Sequence, residues 1–153
     1  MAASRVAIST GPKKGLSAIP VRHAPCAATE TLAKGAAIIT DANGRVTEAG
    51  VNPTEITGFA IHALAAAAVG TDLAYVPGAG SNVVFEGSVD NTHAGTGTIA
   101  QTDYQAEYGL TADTTGIWYV DKDKTGANAR VRIVGFKDAL ATVMGRVYFE
   151  VLP

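Results

Sequence analysis

Asn43-Gly44 sits between two short β-rich runs, Ala36 to Thr40 and Arg45 to Ala49. Both residues tolerate positive φ, which a type I′ turn needs at its two central positions, so the dipeptide folds the chain back as a hairpin. Downstream, Asn52-Pro53-Thr54-Glu55 reads as a turn or a single helical turn, and Ile56 to His62 as a third strand. The stretch carries no chemistry. What it dictates is architecture.

The rest of the chain follows the same style. Strand character begins at Thr29 to Leu32 and returns at Asp72 to Val76, Asn82 to Val89, Ile117 to Val120 and Ala129 to Phe136. In the last of these, Val131 and Ile133 alternate with Arg130 and Arg132. In Gly145 to Leu152, Val147, Phe149 and Val151 alternate with Arg146, Tyr148 and Glu150. That period of two marks half-buried antiparallel strands. Ala63 to Val69 has helix propensity but is long enough for barely two turns, so a short helix or a tight alanine-lined loop is expected there. Tyr104 and Tyr108, at i and i+4, suggest a second short helix or a turn. Asp90 to Thr102, Asp121 to Gly126 and Lys137 to Met144 read as loops. Seven to nine strands with close turn signals give an all-β fold, a compact antiparallel barrel or sandwich with at most one or two short helices.

Residues 1–28 differ from this pattern. They contain Pro12, Pro20 and Pro25, the cations Arg5, Lys13, Lys14 and Arg22, and no acidic residue. Prolines break regular structure, so the segment reads as an extended N-terminal arm on a single β domain spanning 29–153. It is either a solvated terminus or an arm that orders against a partner, for which Ile8, Leu16, Ile19 and Val21 supply apolar surface. The contact candidates are Arg5, Ile8, Lys13, Lys14, Leu16, Ile19 and Arg22, the cations chosen on charge alone.

Composition narrows the function classes. Only 17% of residues are charged, against about 25% in an average soluble protein, so a fairly neutral, associating surface is expected. The formal net charge of −2 argues against nucleic acid as a partner. The single cysteine, Cys26, permits no intrachain disulfide and reads as a small apolar filler. The longest apolar run, Ala63 to Val69, is too short to span a membrane, and no apolar signal-peptide core is visible near Met1; a soluble protein made in a cytoplasm is expected.

Catalytic and metal patterns are weak. His23, His62 and His93 are scattered, which gives little basis for a zinc site. Asp121, Asp123 and Asn128 echo a calcium loop, but Lys122 and Lys124 interrupt it, and a solvated hairpin turn is the better reading. Gly78-Ala79-Gly80-Ser81 and Gly95-Thr96-Gly97-Thr98 lack the lysine of a phosphate-binding loop. No nucleophile elbow or paired carboxylates stand out, so neither an enzyme nor a cofactor is expected. Trp118 and Tyr119 are neighbours on one strand, so one ring should be core and the other exposed.

One family pattern does emerge. The order runs strand, Lys34-Gly35, strand, Asn43-Gly44, strand, Ile56-Thr57-Gly58-Phe59-Ala60, an alanine-rich loop with Gly70, Val76-Pro77-Gly78, then Val83-Val84-Phe85-Glu86-Gly87. It closes with Gly116-Ile117-Trp118-Tyr119-Val120, Arg130 to Phe136 and Gly145-Arg146-Val147-Tyr148-Phe149. From about Thr29 onward this order resembles the capsid decoration, or cement, proteins of tailed bacteriophages. The resemblance implies a β-barrel-like domain on the outer face of the virion, made in the host cytoplasm. It also implies the major capsid protein as partner, homotrimers or contacts with neighbouring copies, and stabilisation of the mature head. The alternative is a ligand- or carbohydrate-binding β module of a phage fibre or adhesin, with Trp118 or Tyr119 as its stacking ring.

Overall fold

The computed structural model describes residues 7–10, 18–51 and 53–153. They form an all-β fold. Its strands are Arg22–Pro25 (β1), Glu30–Leu32 (β2), Ala37–Thr40 (β3), Val46–Glu48 (β4), Gly58–Ala60 (β5), Leu64–Ala67 (β6), Asp72–Pro77 (β7), Phe85–Asp90 (β8), Glu107–Ala112 (β9), Trp118–Asp121 (β10), Val131–Phe136 (β11) and Arg146–Val151 (β12). Two 3-10 turns, Gln101–Asp103 and Gly126–Asn128, are the only helical pieces among the described residues.

Two β units share the chain. The first is an antiparallel sheet in the order β1-β7-β5-β3-β4. It curls until its edges meet, where Cys26 bridges Val46 and the Ala27 N–H donates to the Val46 carbonyl at 2.9 Å. The second is a closed barrel, β10-β8-β12-β11-β9, in which only the β8–β10 pairing is parallel. A two-stranded ribbon, β2-β6, completes the fold. One core runs through both units. Phe59 of the sheet lies 4.6 Å from Phe85 and 6.1 Å from Phe149 of the barrel, centroid to centroid, and all three are fully buried. Tilted and edge-on rings at these distances add roughly 0.5–1.5 kcal/mol per pair beyond area burial.

The hairpin forms where expected, with a different turn. Gly44 takes φ +74°, but Asn43 is not in the left-handed region. The Gly44 N–H donates to Asp41 O at 3.0 Å, and the Asp41 N–H to Arg45 O at 2.8 Å. This is a three-residue loop, a type I turn closed by a left-handed glycine. Asp41 explains the switch: its carboxylate accepts the N–H groups of Asn43 and Arg45, each at 2.8 Å. The Arg45 amide above all keeps that carboxyl below its usual pKa.

Other departures have similar local causes. Leu64–Ala67 is a strand rather than a helix or loop, because pairing with β2 supplies the hydrogen bonds that seven isolated residues could not nucleate as helix. Tyr108 lies in β9, not in a helix with Tyr104. Arg22–Pro25, placed in the arm by its prolines, pairs along its length with β7, and Cys26 beyond it is fully buried. Pro25 is tolerated because β1 ends the sheet order.

Candidate interaction surface

The 91–106 connection between β8 and β9 is organised by buried carboxylates. Asp90 ends β8 and accepts the backbone N–H groups of Gly95, Thr96 and Gly97 at 3.0, 3.1 and 3.0 Å. The glycine-threonine loop is therefore an anion cradle, and the anion it holds is the protein's own Asp90. A Cβ on Gly97 would fall 2.4 Å from the Asp90 Cα, so only glycine permits the approach.

Asp121 ends β10 and accepts from the Thr92 N–H at 3.1 Å, the Thr111 hydroxyl at 2.9 Å and the Asp123 N–H at 3.1 Å. It is fully buried, so the expected solvated turn is solvated only beyond it. Asp103 accepts from the Ala100 N–H, the Tyr108 hydroxyl and the Lys122 ammonium at 2.7, 2.7 and 2.8 Å. Burial, then the hydrogen bond to Asp103 and its charge, push the Tyr108 phenol well above its ordinary pKa. These carboxylates serve as acceptors for protein donors, the condition for burying charge at tolerable cost.

Large apolar side chains stay exposed on two loops of the barrel, one before β9 and one between β11 and β12. Tyr104, Leu140 and Val143 are 52%, 48% and 42% exposed. Their segments are tied together by the Thr98–Val143 bridge, by the Ala141 N–H donating to Ile99 O at 2.8 Å, and by the Gln105 N–H donating to Ile133 O at 2.8 Å. Tyr104 meets Phe136 edge-on at 6.4 Å. An ion pair lies at the start of the second loop: Arg146 holds Asp138 through two nitrogens at 2.9 and 2.7 Å. The Arg146 side chain, then its backbone amide, draws the Asp138 pKa down to about 2. Further apolar exposure lies at Ile19 and Val21 before β1 and at Val69 after β6.

The contact candidates scatter. Arg5, Lys13, Lys14 and Leu16 lie outside the described residues. Ile19 and Arg22 are exposed, Arg22 opposite Tyr75 at the start of β1. Ile8 is 2% exposed and packs into this chain's own core, so it is not a free contact for a partner in this state. Tyr104, Leu140 and Val143 are not among the contact candidates; Tyr104 reads only as part of a short helix or turn. Their signal is faint: Leu140 and Val143 are large apolar residues inside a segment that reads as a loop, and Tyr104 one inside a short helix or turn.

Trp118 and Tyr119 point to opposite faces as expected, yet both are buried. The Trp118 indole N–H donates to Glu48 at 2.9 Å, joining barrel to sheet. Tyr119 turns toward the 91–97 loop, where its oxygen accepts the His93 N–H at 3.0 Å. Neither ring offers a stacking platform.

Two clefts follow the seam between the units, one of about 260 Å³ beside Thr40, Thr57 and Arg130, the other of about 340 Å³ beside Glu48, Val51 and Trp118. In the first, the Arg130 guanidinium is engaged by the carbonyls of Pro53, Ala127 and Ala129. His23 pairs with Asp72, and His62 accepts the Ala74 N–H. Among the described residues, no three of His, Cys, Asp or Glu are grouped to hold a metal ion. Comparison with protein-family models and with curated protein sequences finds no match.

Proposed function

We propose that this chain is a structural binding protein that decorates a tailed-phage head, seated on the outer face between capsomers of the major capsid protein. The reading has the protein made in the host cytoplasm, acting as a homotrimer or through contacts with neighbouring copies, and needing neither catalysis nor a cofactor. The observation that carries a binding role is the exposure of the large apolar side chains Tyr104, Leu140 and Val143 on loops tied by cross-loop hydrogen bonds. A surface fixed before binding loses little entropy on association. The phage assignment draws on the order of strand and glycine motifs from Thr29 onward. Weak individual contacts suffice on a shell, because an oligomer that spans several seams gains avidity through effective concentration.

The test is decoration. Mature shells assembled from the major capsid protein of the same genome, and lacking this chain, are mixed with the purified protein. Stoichiometric binding and a raised disruption temperature are expected, with Leu140→Asp weakening both. Shells that neither bind nor gain stability overturn the proposal. The carbohydrate-binding alternative loses its rationale with the burial of Trp118 and Tyr119.

A further inference from the structure

We propose that Asn43 is a self-modification site: the Gly44 backbone nitrogen displaces ammonia from its side-chain amide, leaving aspartate and isoaspartate, at a pace set by Asp41. The chain has five asparagines, Asn43, Asn52, Asn82, Asn91 and Asn128, and Asn43 alone is followed by glycine. The reaction needs the next residue's nitrogen to reach the side-chain carbonyl, and a side chain on that residue obstructs the approach. Pro53, after Asn52, has no N–H to lose, and Val83, Thr92 and Ala129 follow the other three. Gly44 carries no such obstacle, and a Cβ built on it would meet nothing within 4 Å. Its broad φ, ψ range gives the nitrogen more ways to approach. Asn43 and Gly44 are both exposed, so water and hydroxide reach them.

The steps balance without an oxidant or a cofactor. Hydroxide removes the Gly44 amide proton, the nitrogen bonds to Asn43 Cγ, and the tetrahedral centre expels the side-chain nitrogen as ammonia. A succinimide ring results. Water opening it at Cγ restores the original backbone with an aspartate side chain. Water opening it at the backbone carbonyl carbon routes the chain through Cγ, as isoaspartate. One water is consumed and one ammonia released.

The fold restrains this chemistry through Asp41. The Asp41 carbonyl accepts the Gly44 N–H at 3.0 Å, and its carboxylate accepts the N–H groups of Asn43 and Arg45 at 2.8 Å. The Gly44 nitrogen is thereby kept as a hydrogen-bond donor, and a negative charge stands close to a group that must itself become an anion. Reaction waits on opening of the turn, and exposed turns are among the first parts of a fold to open. Both products then disturb the hairpin. Either adds a carboxylate near Asp41, and isoaspartate lengthens by a methylene a loop whose length fixes the β3–β4 register. Val46, which pairs with Thr40 at the base of this loop, is also where the sheet's edges meet.

The test is to incubate the purified full chain in mildly alkaline buffer, separate it by charge and map the acidic species by digestion and mass spectrometry. A species one charge more negative should accumulate, with an NH2-to-OH mass gain at Asn43 divided between aspartyl and isoaspartyl peptides. Asn43→Gln should abolish it, since the longer side chain closes a less favourable ring. Asp41→Ala should accelerate it severalfold by releasing the turn. No mass gain, or a gain at Asn82, Asn91 or Asn128 ahead of Asn43, overturns the site; an unchanged rate in Asp41→Ala overturns the control by Asp41.

Discussion

The barrel and the curled sheet bury their cores differently. All six buried polar residues among those described (Glu86, Ser88, Asp90, Asp103, Thr111 and Asp121) belong to the barrel and its loops. The sheet's buried residues, such as Cys26, Ile38, Phe59 and Val76, are apolar, and its carboxylate-centred turn at Asp41 lies at the surface. Loop length accounts for the contrast. A three-residue hairpin offers Asp41 two backbone donors, whereas the 91–106 connection wraps far enough to give Asp90 three amides and to send Thr92 to Asp121. A carboxylate can be buried only where enough donors converge, and only the longer connection of the barrel brings that many to one place.

The largest expected effect tests whether the two regions are one cooperative unit. Phe59→Ala should cost roughly 3–5 kcal/mol, the range for a large ring removed from a tight core. It should do so in one urea transition that lowers amide protection in sheet and barrel together. Two separated transitions would break the shared-core picture.

Asp90→Ala should cost about 2–4 kcal/mol, since it leaves buried amides without their charged acceptor. Faster hydrogen exchange at Thr96 and Gly97 should accompany it. The matched change in the sheet, Asp41→Ala, should cost clearly less, because water can replace the lost acceptor at the surface. Equal losses by denaturant titration would erase the distinction drawn between the regions.

The smallest effect is electrostatic. The folded-state pKa of Asp138, about 2, lies below its ordinary 3.8. Its contribution is complete above the unfolded value, at pH above about 4, and is lost as pH falls toward 2. Carboxyl carbon shifts should therefore show Asp138 titrating near 2, and Arg146→Gln should return the midpoint toward 3.8. An unchanged midpoint would remove Arg146 as the cause. The pair is partly solvated, so the change in stability should be small.

Strand existence was legible where alternation was long. Val131–Phe136 and Arg146–Val151 fall within the runs that their alternation marks, and the hairpin lies at Asn43-Gly44. Short elements were not. Leu64–Ala67 is made a strand by pairing with β2, a partner some thirty residues away whose offer no local propensity encodes. The interaction surface was least legible. Ile8 reads as surface in a proline-rich terminus, and it is buried because Gly35 and Gly87 converge on it from remote positions. The loops that carry Tyr104, Leu140 and Val143 are placed by backbone bonds to segments remote in sequence, Gln105 to Ile133 and Ala141 to Ile99.

By itself, the sequence determined the all-β class, the site of the hairpin and the inward faces of the last two strands. These follow from turn residues and a two-residue period, which act over a few neighbouring positions. Tertiary structure decided which strands closed the barrel, that both Trp118 and Tyr119 would be covered, and that the glycine-threonine loop would hold Asp90. Those outcomes depend on contacts between segments far apart in the chain, where packing and the need to satisfy buried polar groups outweigh local preference.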